Sequence, residues 1–184
     1  MPGSYNKKND SELLVLIQEG NRAAFSELVE RHAKTFYRLA FRFLSSREEA
    51  EDMVQEAFLK LWQNPFLFNV KKNVKFTTWF YKVVVNMCND GLRKKPYAPL
   101  PDNESLVEEG KNPAEVAFEN AKQIALEYEI SRLPAKQRTA LNLCFYEEIK
   151  GAEAAEILGV SAKAVESLLM RAKTTLKKNL KGYL

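Results

Sequence analysis

Apolar residues recur at the three- and four-residue spacing of amphipathic helices in one segment after another, and the fold class this predicts is all-α. Asn9 or Asp10 can cap a short helix through Leu13, Leu14, Leu16 and Ile17 that stops at Gly20. Asn21 caps a longer one, burying Ala24, Phe25, Leu28, Val29, Phe36, Leu39, Ala40 and Phe43 and leaving Arg22, Glu30, Arg31, Lys34 and Arg38 outside. Residues 45–63 carry the clearest stripe, with Ala50, Met53, Val54, Ala57, Phe58, Leu61 and Trp62 on one face. Ser45 or Ser46 caps that helix, each with a glutamate three positions on, and Asn64-Pro65 closes it.

Thr77 or Thr78 is the expected cap of the next helix, whose buried stripe is Phe76, Trp79, Phe80, Val83, Val84, Met87 and Cys88. Its other side presents Tyr81, Lys82, Val85, Asn86, Asn89, Asp90 and Arg93 before the chain reaches Arg93-Lys94-Lys95-Pro96. Residues 96–112 break the pattern: Pro96, Pro99 and Pro101 precede acidic residues with no apolar period, the composition of a flexible linker. Helical periodicity resumes at Asn112-Pro113, runs to Leu133-Pro134, and continues in a second helix over residues 134–145 through Ala140, Leu141, Leu143 and Cys144. The architecture expected is therefore two small helical domains, residues 1–95 and 113–184, joined by the linker 96–112.

The sharpest local signal lies in the second domain. Ala155, Gly159 and Val165 stand at the positions where two steeply crossing helices need a small contact residue, a glycine turn and a branched residue in the corner. Ile157, Leu158 and Val160 complete the apolar set and Ser161 caps the second helix, the pattern of a helix-turn-helix, with an ordinary helical hairpin as the alternative. Val165, Leu169, Ala172 and Leu176 should face inward, leaving Lys163, Glu166, Ser167, Met170, Arg171 and Thr174 outward, with Lys173, Lys177, Lys178 and Lys181 as a basic continuation. Lysines so placed suit phosphate binding.

Composition narrows the function classes. The chain has 184 residues, 46% of them hydrophobic, enough for ordinary cores. No apolar run reaches membrane-spanning length and residues 1–9 lack a signal-peptide core, so a cytoplasmic location without membrane insertion is expected. Cys88 and Cys144 sit in separate helical patterns as expected core residues, and His32, the single histidine, has no nucleophile or carboxylate pair arranged around it in sequence. With no P-loop, dinucleotide fingerprint or metal motif, no catalytic site, metal or cofactor is expected. The net charge of +4 is mild, but its basic residues are clustered.

Two stretches hold chemistry that core packing leaves unexplained. Glu48, Asp52 and Glu56 fall four apart and repel one another, so the acidic face of the third helix suits either solvent or a basic partner. The loop 66–75 mixes Phe66, Leu67 and Phe68 with Lys71, Lys72 and Lys75; such residues tuck under a bundle, or hold an unstacked base and its phosphates. On the following helix, asparagine and arginine side chains can read base edges or phosphates.

The order of these parts resembles the bacterial RNA polymerase sigma factors of the extracytoplasmic-function (ECF) group, within the sigma-70 family. The resemblance spans nearly the whole chain and rests on Asp52-Met-Val-Gln-Glu-Ala-Phe58, Phe76-Thr-Thr-Trp-Phe-Tyr-Lys-Val-Val-Val-Asn86 with Asp90 and Arg93, Leu133-Pro134-Ala-Lys-Gln-Arg138, and the helix-turn-helix. It implies that Asp52, Gln55 and Glu56 dock on core RNA polymerase, which contributes its beta-prime and beta subunits as partners. It implies that Lys71, Lys72, Lys75, Trp79, Asn86, Asp90, Arg93 and Lys94 recognise and open the minus-ten promoter element, the loop receiving a flipped base. Ser161, Lys163, Glu166, Ser167, Met170, Arg171 and Lys173 would contact the minus-thirty-five element, the linker would thread the polymerase, and an anti-sigma factor is an expected partner. The recognition helix departs from the family pattern: Glu166, Leu168 and Met170 stand where related proteins commonly carry basic or polar residues, so the usual base preference does not transfer. Glu166 could accept from a cytosine amino group, or the helix could rely on Lys163, Arg171 and Lys173. Two rival classes share parts of this pattern, a sigma-like decoy for an anti-sigma factor and a conventional helix-turn-helix regulator; the acidic docking set argues against both.

Overall fold

The structure, a computed structural model, describes residues 5–70, 74–94 and 113–181, with only the backbone of 113–120. Among these residues it contains helices and turns and no strand. The chain divides into two compact units at Lys95/Pro96. The linker expected over residues 96–112 lies outside the described residues.

The first unit holds α1 (Asp10–Gln18), α2 (Arg22–Leu44), α3 (Arg47–Gln63) and α4 (Phe76–Lys94). Each start has a local cause. The Asn9 side chain accepts from Glu12 N–H while the Glu12 carboxylate accepts from Asn9 N–H, a complete capping box. Asn21 caps α2 by accepting from Ala24 N–H at 3.0 Å, after Gly20 has turned the chain at φ 84°. Between α2 and α3 the two serines divide the work: Ser45 takes the left-handed conformation that ends α2, and Ser46 caps α3 through Glu49 N–H.

The apolar stripes converge on Phe80, which is fully buried. Its ring meets Phe36 of α2 and Phe58 of α3, each at 4.7 Å, and Phe76 of its own helix at 5.1 Å. Each such pair adds about 1 kcal/mol beyond the burial of its area.

Helix α4 departs from expectation in two ways. It begins at Phe76, ahead of both threonines, because Phe76 must stand one turn before Phe80 for their rings to stack; Thr78 is consequently buried inside the first turn and neither threonine is the cap. Tyr81 and Val85, expected on the outer side, are buried, Tyr81 edge-on to Phe36 at 4.9 Å. The helix is gripped over a wide arc, which narrows its free surface.

The second unit holds α5 (Pro113–Ser131), α6 (Ala135–Leu141), α7 (Gly151–Leu158) and α8 (Ala162–Asn179). Ile130, Leu133, Leu141, Ala172 and Leu176 form one cluster of its core, with Leu126, Leu169 and Leu180 packed against them, and Leu143, Ile157 and Val165 are buried as well. The helix expected to run to Phe145 changes character after Leu141: Asn142–Tyr146 is a π turn, with Glu147 N–H donating to Asn142 O. The wider turn buries Asn142 and Leu143 in succession and brings Phe145 outward; it also leaves Cys144 half-buried, where a core position was expected, while Cys88 is fully buried.

Candidate functional site

Three surfaces carry the residues singled out in the sequence. On α3, Asp52, Gln55 and Glu56 are all exposed, opposite the buried Ala50, Val54, Ala57, Phe58 and Leu61. At 3.6 residues per turn they share an arc of about 100° with Glu48, Leu59 and Gln63. Glu56 is bridged by Lys60 one turn on at 2.8 Å, whereas Asp52 makes no ion pair among the described residues. Leu59, 51% exposed, sits within this acidic surface. Sequence reasoning passed over it, although its place beside the buried Phe58 and off the apolar stripe was the available signal.

On α4, residues 79, 82, 86, 90 and 93 fall within an arc of about 80°. Lys82, Asn86, Asp90 and Arg93 are exposed along it, Lys75 and Lys94 are exposed at its two ends, and Arg93 bridges Asp90 at 3.2 Å. Trp79 is half-buried, its ring 5.4 Å from Phe68 and 6.1 Å from Phe76, so one part anchors the loop while the rest borders the polar stripe. Lys71 and Lys72 lie outside the described residues.

The loop before α4 opens with a 3-10 turn, Pro65–Leu67. Phe68 is buried edge-on to Phe76, but Phe66 is 74% and Leu67 60% exposed. The turn closes on itself through Leu67 N–H to Asn64 O at 3.0 Å, and Gln18 at the end of α1 ties it to the bundle: its Nε2 donates to Pro65 O and to Phe68 O, each at 3.2 Å. These bonds bridge 47 and 50 residues, a separation at which local spacing gives no signal.

In the second unit the helix-turn-helix takes the expected geometry. Gly159 has φ 66°, in the left-handed region that lets α7 end, and Val160 N–H returns to Ala155 O at 3.0 Å. Ser161 caps α8 through Ala164 N–H, and Ala154, Ala155 and Val165 are buried in the corner. Lys163, Glu166, Met170 and Arg171 are exposed on α8 and Ser167 is half-buried. Two hydroxyls are turned back on the helix, Ser167 Oγ to Lys163 O at 3.1 Å and Thr174 Oγ1 to Met170 O at 2.9 Å. Lys173 places its Nζ 4.6 Å from the centre of the Phe145 ring, a cation–π contact that joins α8 to the π turn.

Among the described residues, no group of His, Cys, Asp and Glu is placed to hold a metal ion, and no helix is long and apolar enough to cross a membrane. One chain thus carries a helical unit with an acidic face and a polar stripe, and a second helical unit that bears a helix-turn-helix. The sigma-70 region 2 family matches residues 28–96 and the sigma-70 region 4 family matches residues 123–176. The chain is 32% identical over 182 residues to the ECF RNA polymerase sigma factor SigM of Mycobacterium tuberculosis, covering 99% of this chain and 89% of that one. It is 29% identical over 176 residues to the ECF RNA polymerase sigma factor SigW of Bacillus subtilis, covering 90% and 93%. Among solved structures, CnrH in complex with the cytosolic domain of CnrY shares its fold at a TM-score of 0.70, with 24% identity over 94% of this chain and 97% of that one. The sigma factor RpoE of Bartonella quintana, solved with the anti-sigma factor NepR, does so at 0.65, with 19% identity over 85% and 96%.

The chain belongs to the ECF RNA polymerase sigma factors of the sigma-70 family. It is a promoter-directing factor, working with RNA polymerase on promoter DNA.

Proposed function

We propose that the chain acts as an alternative sigma factor through three residue sets. The outer arc of α3 docks core polymerase, the α4 stripe and its preceding loop recognise and open the minus-ten element, and the helix-turn-helix binds the minus-thirty-five element. The observation that carries the reading is the surplus of acid on α3: Asp52 lacks an ion pair among the described residues, and a surface of like charges costs a few tenths of a kcal/mol per pair unless a basic partner covers it. Leu59 supplies that interface with an apolar anchor, of the kind that concentrates binding energy when ringed by polar contacts.

Strand opening draws on binding alone, without covalent chemistry. Unstacking costs a few kcal/mol per base step, and a base stacked on an aromatic ring returns roughly 1–3 kcal/mol. Phe66 and the open part of Trp79 are the rings available, with Lys75 one turn before Trp79 and Asn86 and Arg93 farther along α4. The work is placed in the cytoplasm, where promoter DNA is. Because CnrH and RpoE were each solved with a protein partner, an anti-sigma factor is proposed for this chain as well.

The test is core binding by the double variant Asp52→Lys, Glu56→Lys. Affinity for purified core polymerase should fall at least tenfold while the helical circular dichroism stays unchanged. Loss of helix with loss of binding would assign these residues to the fold. A wild-type chain that neither binds core nor supports run-off transcription from genomic fragments would sink the whole reading.

A further inference from the structure

The outward face of α8 is narrower than its sequence suggests. Ser167 and Thr174 direct their hydroxyls to carbonyls of their own helix, and Lys173 is drawn to the Phe145 ring. Of the exposed residues that remain in the first turns of the helix, Glu166 and Met170 lie on one side of Lys163 and Arg171 on the other. Glu166 is exposed and makes no ion pair among the described residues; Met170, one turn on, is 64% exposed.

A free carboxylate entering a groove lined with phosphates is repelled unless it meets a donor, and the cytosine N4 amino group is the base-edge donor that a glutamate carboxylate accepts from in the major groove. An unbranched thioether offers no donor and no strong acceptor, so its favourable contact there is the thymine C5-methyl group. Residues four apart stand about 6 Å apart along the helix axis, and successive bases rise about 3.4 Å, so the two side chains reach positions one or two base pairs apart. We infer that Glu166 and Met170 are the specificity-determining pair of this helix, selecting cytosine and a nearby thymine within the minus-thirty-five element. This rests on the proposal that the helix-turn-helix binds that element.

The experiment uses the full chain assembled with core polymerase and a promoter that this holoenzyme transcribes, its minus-thirty-five segment randomised. The wild type should enrich cytosine at one position and thymine one or two base pairs away, each about tenfold over other bases. Glu166→Arg should convert the cytosine preference to guanine, because arginine pairs with guanine O6 and N7. Met170→Ala should flatten the thymine preference and leave cytosine in place. If Glu166→Arg and Glu166→Ala instead strengthen binding to all sequences alike, the carboxylate only repels phosphate and the inference is overturned. Selection of another base pair at these positions overturns it as well. The paired variant Lys163→Ala, Arg171→Ala separates the two levels: if it weakens binding while Glu166 leaves base preference unmoved, only this inference fails. If neither it nor any randomised sequence alters binding, the minus-thirty-five reading fails too.

Discussion

Asp10 ties the first helix to the second through side chains alone. Its Oδ2 meets His32 Nε2 at 2.8 Å and its Oδ1 accepts from Arg31 at 2.9 Å, while Arg31 also reaches Glu27 at 2.9 Å. The spacing around His32 gave no sign of this partner because Asp10 lies 22 positions away. The hydrogen bond from His32 is the main cause that holds the Asp10 carboxyl below its ordinary range; the charges of His32 and Arg31 add to it and partial burial opposes it. A carboxylate whose folded value is depressed contributes stability above its unfolded value and loses it as pH falls through the folded one. Asp10→Asn should therefore lower stability at neutral pH by about 1 kcal/mol, and the difference from wild type should vanish in strong acid. Urea unfolding from pH 7 downward reads this; a difference that persists at the acid end would show that the charge is not its source.

At the scale of elements, two junctions are open to test. Gly159 has open space where a Cβ would stand, so Gly159→Ala meets no clash and its cost is the left-handed backbone alone, about 1 kcal/mol in denaturant unfolding. A cost of several kcal/mol would mean that the corner tolerates no side chain at all. Gln18→Leu removes both bonds from α1 to Pro65 and Phe68, each worth about 1 kcal/mol, and should slow promoter opening by the holoenzyme while core binding is kept. Equal loss of both would place Gln18 in general stability. These junctions also mark what could be read from the chain. The caps Asn21 and Ser161 and the Gly159 turn were legible because each is decided within four residues, and the caps of α1 and α3 were legible to within one residue, Asn9 against Asp10 and Ser46 against Ser45. The start of α4 was not, since apolar residues lie nearly all round that helix and only the tertiary stack of Phe76, Phe80 and Phe36 selects the register. Nor were the Gln18 clamp or the Lys173–Phe145 contact, which join distant segments and leave no period in the sequence. The acidic arc of α3 and the helix-turn-helix face were legible as exposed sets, but their narrowing by Leu59 and by back-bonded hydroxyls required the packed molecule.

The molecule as a whole carries a built-in means of watching its two units separately. Both tryptophans, Trp62 and Trp79, belong to the first unit, whereas helices occur in both. Tryptophan fluorescence thus reports the aromatic packing around Phe25, Phe68 and Phe76, and far-ultraviolet circular dichroism sums over the two cores. Leu143 is fully buried in the second unit, and truncating such a leucine costs roughly 2–5 kcal/mol through lost burial and the cavity left behind. Leu143→Ala should therefore split the circular dichroism transition, moving one component down by several degrees or more, while the fluorescence midpoint stays where it is in the wild type. With the second unit's cluster of Ile130, Leu133, Leu141, Ala172 and Leu176 drawn from that unit, the core docking proposed for α3 should survive at temperatures where this variant has lost the helix-turn-helix fold. A fluorescence midpoint that falls together with the circular dichroism would show that the two units unfold as one.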